Sequence, residues 1–369
     1  MNNTDHPMEV TPKPVKLREF DVLRAVAILL LFVSHSEVLS RKFNGVSIEW
    51  IGPFIGSFLL GSFYFIAGYF VDASLSRRDK GIFAFFKSKF VRIYPPYLLA
   101  VILFVVVLDY TLKRRDWAVY LLNLQFIFSP AFVKQLLTLW YISVLMGFYI
   151  VYAFLFVRTN SGLSLYLGML VVFALVYLVH IKTELFDGRF LMYLPIFTTG
   201  IYLSRNRKAF EWFFSIPFVL SLAFALPGLL SYWYVQAAGY GFLSWQHLAA
   251  VDFYILSSDL FWLKVFRGSI SSWKIWAPIS TASFFAYLYH RPIWEFVAMV
   301  PWGILSSDIV WVRLLPGSVI VIFICYYLQL AYNYMIHRIQ LFSWGGGFSV
   351  KHFRQKEKIS ASSYNDRNE

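Results

Sequence analysis

The sequence predicts an all-α integral membrane protein, a bundle of about ten transmembrane helices with both termini in the cytosol. Three observations predict it. Hydrophobic residues make up 59% of the 369 and charged residues only 14%, far from the balance of a soluble globular domain. Apolar stretches long enough to cross a bilayer recur along the whole chain. The segments between them alternate between strongly basic and poorer in Lys and Arg, the one at 232–243 having no charge, as the enrichment of Lys and Arg in cytosolic loops requires. The net charge of +13 therefore records topology, and no nucleic-acid partner is expected. The expected environment is the lipid bilayer, and the expected location is the cell membrane, multi-pass.

Residues 1–16 are polar and basic towards their end (Lys13, Lys16), and read as a disordered cytosolic tail. No cleavable signal peptide is evident, so the first hydrophobic stretch is expected to persist. Spans are then predicted at 20–39, 49–71, 90–110, 138–157, 163–181, 190–204, 211–231, 244–263, 277–300 and 313–336. The sixth is short for a crossing, and 117–129 reads as a re-entrant or interfacial segment. Pro95-Pro96 is expected to bend or restart the third helix. With the N-terminus inside, cytosolic loops carry Arg77, Arg78, Lys80, Lys87 and Lys89, then Arg158, then Arg205, Arg207 and Lys208, then Lys264, Arg267 and Lys274. Lys113, Arg114 and Arg115 break the rule, which either a misplaced span near 117 or binding of an anionic glycan would explain. Residues 17–337 thus form one polytopic domain, and 338–369 a basic cytosolic tail too short and polar for a second fold. Cys325 lies in an apolar run and reads as a packing residue.

Polar groups inside spans are costly and mark candidate sites. Arg24 and His35 share the first span; eleven residues are about three turns, which places them on one face roughly 16 Å apart. Singly, Arg24 could snorkel and His35 could pack by a hydrogen bond, but the shared face asks for one explanation. Asp21, one turn from Arg24, can hold the guanidinium. Glu37 follows His35 on a different face. Asp252 and Asp259 share a face of the eighth span and can orient His35, meet a substrate or satisfy basic groups. Lys87, Lys89 and Arg92 cluster where the third helix begins, a mouth suited to phosphates. Trp140 and Tyr141 read as interfacial-belt or packing residues. No His/Cys cluster has metal-ligand spacing, and no metal is expected.

Asp21-Val22-Leu23-Arg24-Ala25 with His35 beyond it, GSFYFIAGYFV at 61–71, KSKFVRIYPPYLLA at 87–100 and SFFAYLYHRPIW at 283–294 occur in the order of the membrane acyltransferase-3 family motifs. LWYISVLMGFYIVY at 139–152 is a weaker fifth match. The chain resembles that family over residues 17–337, in the stand-alone form that lacks a soluble hydrolase-like domain. The resemblance implies an O-acyltransferase that moves a small acyl group, with acetyl the expected one, from cytosolic acyl-coenzyme A (acetyl-CoA) to a hydroxyl of an extracytoplasmic glycan or glycolipid acceptor. His35 and Arg24 then become the catalytic candidates, His35 as general base or as acyl-accepting nucleophile. Lys89, Arg92 and Lys87 become the donor-binding candidates. The family usually has Arg-x-x-Arg here, and Lys89 fills the first position. His290, in Tyr287-Leu288-Tyr289-His290, matches the late motif as a site residue or a structural hydrogen bonder. The competing class is a non-enzymatic transporter of polysaccharide or lipid-linked sugar. Such folds often show paired, broken spans, and no such pair is visible. A passive scaffold would leave Arg24 and His35 without a task.

Overall fold

The structure is a computed structural model that describes residues 17–75, 81–128, 131–300 and 308–343. The tail calls on 1–16 and most of 338–369, and the cations Arg77, Arg78 and Lys80, lie outside the described residues. The backbone forms two compact units, Met1–Tyr326 and Tyr327–Glu369. All candidate site residues belong to the first. In the second, Arg338 Nε donates to Tyr334 Oη at 2.9 Å along the same helix.

The described chain is almost wholly helical. In order the helices are α1 (Arg18–His35), α2 (Gly52–Leu75), α3 (Ile82–Val107), the short α4 (Arg114–Leu121) and α5 (Gln125–Phe128), α6 (Trp140–Phe154), α7 (Gly162–Thr183), α8 (Gly188–Arg205), α9 (Arg207–Ser215), α10 (Phe218–Ala237), α11 (Trp245–Phe266), α12 (Trp276–Ala298), the single turn α13 (Ile309–Val312) and α14 (Ser318–Ser343). Each of the ten spans expected from hydropathy meets one long helix. Six of these, α2, α3, α6, α7, α10 and α14, are long and apolar enough to cross a membrane, and the protein is a multi-pass membrane protein. Polarity rather than length sets α1, α8, α11 and α12 apart. They carry Arg24, Arg189, the pair Asp252 and Asp259, and the pair His290 and Arg291 respectively.

Those four polar helices are packed inward. α1 lies against α2, α11 and α12, and α8 lies against α2, α6, α7 and α11. α3, α7 and α10 turn apolar side chains such as Val106, Leu167, Leu175, Val219 and Leu230 outward, the pattern of a lipid-facing surface. Charged groups therefore face protein, where partners exist, and the apolar helices meet hydrocarbon. The tightest contact is α2 on α8. A methyl group added at Gly68 would overlap the Phe197 carbonyl, and one at Gly200 would overlap the Phe65 carbonyl. Reciprocal glycines let the two backbones touch, which supplies van der Waals packing where lipid offers no hydrophobic drive. Gly200→Val is expected to force these helices apart at a cost of about 3 kcal/mol or more. The check is a fall in thermal midpoint and loss of the monodisperse chromatographic peak.

Local structure departs from the sequence reading at several places. α1 ends at His35 rather than at 39, because Ser36 Oγ turns back to the Val33 carbonyl at 3.0 Å and Glu37 is left-handed (φ 69°). A two-stranded hairpin, β1 (Lys42–Phe43) and β2 (Val46–Ser47), follows in antiparallel register. Asn44 and Gly45 turn it with φ of 50° and 83°, the positive angles a two-residue hairpin needs. α3 runs unbroken through Pro95-Pro96, and the Pro96 carbonyl accepts from Tyr289 Oη at 2.9 Å. The expected seventh span starts with a break: α9 stops at Ser215, and Pro217 caps α10.

The segment from 114 to 128 is two short helices and not an extra span. Its polar groups are pinned by neighbours. Tyr97 Oη donates to the Tyr120 carbonyl at 2.9 Å, and Tyr120 Oη donates to the Lys134 carbonyl at 2.6 Å while accepting from Leu136 N–H at 2.6 Å. These bonds fix residues 134–138, which form a wall of the site.

Candidate functional site

α1 and α12 run parallel and are joined at two levels. At the first, Arg24 Nη1 lies 3.5 Å from Ser280 Oγ, and Ser280 Oγ donates to Asp21 Oδ1 at 3.0 Å. Ser280 thus links the two α1 residues that sequence spacing had placed one turn apart. At the second level, His35 Nδ1 lies 2.9 Å from His290 Nε2, the two rings inclined by only 12°. Eleven residues separate the levels on α1 and ten on α12, so the two helices rise in step by about 15 Å.

The hydrogen bonds assign the tautomers. His290 is fully buried, and its Nδ1 faces the carbonyls of Ala286 and Tyr287 at 3.1 and 3.0 Å. A nitrogen between two acceptors must carry the proton, which leaves Nε2 of the neutral ring as a lone pair. That lone pair accepts from His35 Nδ1–H. The lone pair of His35 is then on Nε2, on the ring edge away from His290. Phe32 and Trp294 pack against the His290 ring and hold it in place. The pair has the logic of a base oriented by a third group, with imidazole where a carboxylate is commoner.

Two cavities flank this ladder. One, of about 240 Å³, is lined by Arg24, Lys89, Tyr141, Tyr149, Ser283 and Tyr287 among others. Lys89 Nζ sits 4.6 Å above the Tyr149 ring, which holds the ammonium towards the cavity. The other, of about 170 Å³, is lined by His35, Gln135, Thr138, Arg189, Arg291 and Tyr287 among others. Tyr287 belongs to both walls, its hydroxyl donating to the Thr138 carbonyl at 2.8 Å.

The expected residues thus divide. Arg24 and Lys89 come together in one cavity, and His35 with His290 opens on the other. Lys87 and Arg92 are exposed and line neither; one turn of α3 separates Arg92 from Lys89. Glu37 is 65% exposed along its side chain and pairs with Arg313 at 3.1 Å, away from the His35 ring. Asp252 and Asp259 are not orienters of His35. Asp259 accepts from Ser62 at 2.6 Å inside the α2–α11 contact, and Asp252 Oδ1 is buried without a hydrogen-bond partner among the described residues. Trp140 and Tyr141 are buried cavity walls and not belt residues. The sequence reading did not single out Arg189 or Arg291. Arg189 is paired with Asp187 through two bonds and lies 3.7 Å over the Trp140 ring. Arg189 could have been found as a cation at the edge of its predicted span, and Arg291 as a cation inside the predicted span 277–300. Among the described residues no cluster of His, Cys, Asp or Glu could hold a metal.

Compared with known proteins, residues 17–330 match the family described as an acyltransferase domain, acyltransferase 3. The chain belongs to the acyltransferase-3 family. It is an enzyme that transfers acyl groups other than amino-acyl groups. No curated protein and no solved structure matches it. In the structure His290 Nε2 holds the His35 ring through the 2.9 Å bond to Nδ1, and a positioning role for His290 is a testable expectation. His290→Phe keeps a ring in the apolar slot and removes the acceptor, and about a tenfold or larger fall in kcat is expected with donor affinity unchanged. His290→Gln, which can still accept a hydrogen bond, should recover part of the loss.

Proposed function

We propose that the protein is an O-acyltransferase that moves an acetyl group from cytosolic acetyl-coenzyme A to a hydroxyl of an extracytoplasmic glycan or glycolipid. The observation that carries this reading is the pair of cavities sharing Tyr287, one cationic and one holding the open nitrogen of His35. The cavity of Arg24 and Lys89 suits the phosphates of the donor, and the thioester reaches towards Tyr287 on the flexible pantetheine arm. The acceptor enters the other cavity. His35 Nε2 takes the hydroxyl proton as the oxygen attacks the thioester carbonyl; the new C–O bond forms, the C–S bond breaks, and the proton leaves with the thiolate. His290 stabilises the transient imidazolium through the Nδ1–H bond.

Sidedness follows from charge. Lys87, Lys89, Arg92, Arg158, Arg205, Arg207 and Lys208 lie on the Arg24 side of the bundle, where Arg205 pairs with Asp72 next to the cavity residue Val71, which supports a cytosolic placement of that cavity. Ten crossings with both termini inside complete the arrangement. The test is to supply membranes containing the protein with acetyl-coenzyme A labelled in the acetyl group and follow label into glycan together with free coenzyme A. Label in the glycan, with stoichiometric thiol release, is the expected result. Absence of both with the native glycan present would remove the acetyl-coenzyme A reading.

A further inference from the structure

The mechanism above leaves one charge in the His35 cavity without a task. Arg291 lines that cavity, and its Nε is buried with no hydrogen-bond partner among the described residues. The acids around it are engaged elsewhere. Glu37 and Glu295 both pair with Arg313 at 3.1 Å, and Asp308 pairs with Arg41 at 2.5 Å. Asp187 holds Arg189, the other guanidinium of the cavity, in a direct ion pair, whereas Arg291 has only the longer-range field of Glu37, whose carboxylate is already paired with Arg313. No ion pair to Arg291 exists among the described residues. Leaving a partly buried guanidinium without an ion pair and with its Nε unbonded is costly, and a fixed negative charge on a bound molecule offsets that cost. Thr138 Oγ1, also in this wall, is buried without a partner among the described residues and can serve the same ligand.

A transient oxyanion at the thioester carbon does not account for this. It exists only during the transition state, whereas Arg291 is charged throughout, and neutral donors such as a hydroxyl or amide suffice for an oxyanion. A second observation points the same way. Lys113, Arg114 and Arg115, which violate the charge rule, are exposed where the segment after α3 enters α4. That segment lies at the His35 end, because Lys134 Nζ reaches the Thr111 carbonyl at 3.4 Å and the adjacent Gln135 lines the cavity. With α4 and α5 too short to be a span, no shift of topology moves these cations to the other side. They lie outside the cavity, beyond the reach of a small acyl group, where only a larger molecule arriving from that side can meet them.

Resting on the acyltransferase reading of the same site, we infer that the acceptor is anionic. It carries a carboxylate or phosphate that Arg291 grips beside the hydroxyl activated by His35, with Lys113, Arg114 and Arg115 drawing it in.

The test reads binding without turnover. The full chain in phosphatidylcholine nanodiscs is titrated with methyl glucuronide, glucose phosphate and neutral methyl glucoside, followed by saturation-transfer NMR. The charged probes should bind at least about tenfold more tightly than the glucoside. Arg291→Gln should abolish that preference, and Arg291→Lys should keep part of it. Equal affinity of the three probes for the wild-type chain, or no binding by any, overturns the proposal without relying on a variant that folds. A preference that survives in Arg291→Gln overturns it as well. A turnover arm fixes the source of the charge: faster reaction of succinyl- than acetyl-coenzyme A onto neutral acceptors would place the anion on the acyl group, contrary to the proposal. Discrimination among the probes by a chain that consumes no acyl-coenzyme A would sink the donor assignment alone.

Discussion

His35→Ala is expected to lower acyl transfer by about 10²- to 10⁴-fold, the range a positioned general base contributes. The loss should fall on kcat. His35 does not line the cavity of Arg24 and Lys89, so the apparent affinity for coenzyme A should stay as in the wild type. Membranes with matched amounts of each protein, labelled acetyl-coenzyme A and a count of label in the glycan make the comparison. A variant that kept wild-type turnover would remove His35 from the reaction. The ring contributes little to the core, since it is half-buried at the last residue of α1 and its deletion leaves the fully buried His290 in its own pocket. A fold defect is therefore not the expected cause of lost activity.

The second large effect is expected at the donor. Arg24→Gln removes the guanidinium while leaving an amide for Ser280, and should weaken coenzyme A by about ten- to a hundredfold. Lys89→Ala should act in the same direction. Arg92→Ala should change affinity by no more than about twofold, because an exposed cation outside the cavity is largely screened. Binding of coenzyme A itself, followed by calorimetry, separates the three. An Arg92 effect as large as that of Lys89 would show that the phosphates lie outside the cavity.

This ranking of Lys89 over Arg92 is the point at which sequence and structure part most usefully. The spacing of Lys87, Lys89 and Arg92 identified a basic mouth, and the family pattern drew attention to Arg92. Which cation turns inward depends on the rotation of α3 against α6 and α12, a property of packing with no local signature. The same limit explains Asp252 and Asp259. Their shared face was legible from periodicity, but not that α11 aims Asp259 at Ser62 of α2. By contrast, the all-helical membrane character, the polar first helix and the relation of Arg24 to His35 along it were legible. They rest on hydropathy and on the rise per residue, both local quantities. The His290 partner was visible only as a candidate, because its role is fixed by two carbonyls of its own helix and by a ring 255 positions away. Arg291 stands next to it in the sequence, yet the role proposed for it rests on Glu37 and Glu295 pairing with Arg313, contacts with no local signature.

The shared wall at Tyr287 has an economic meaning for the cell. In the proposed orientation, one aromatic ring pinned to the Thr138 carbonyl separates the compartment of the carrier from the compartment of the acceptor. Under the proposed function the acyl group alone would change sides, and coenzyme A, with its nucleotide held at Arg24 and Lys89, would stay on its own side and return to the metabolic pool after each cycle. A surface polymer can then be decorated continuously without draining the cofactor that supplies it.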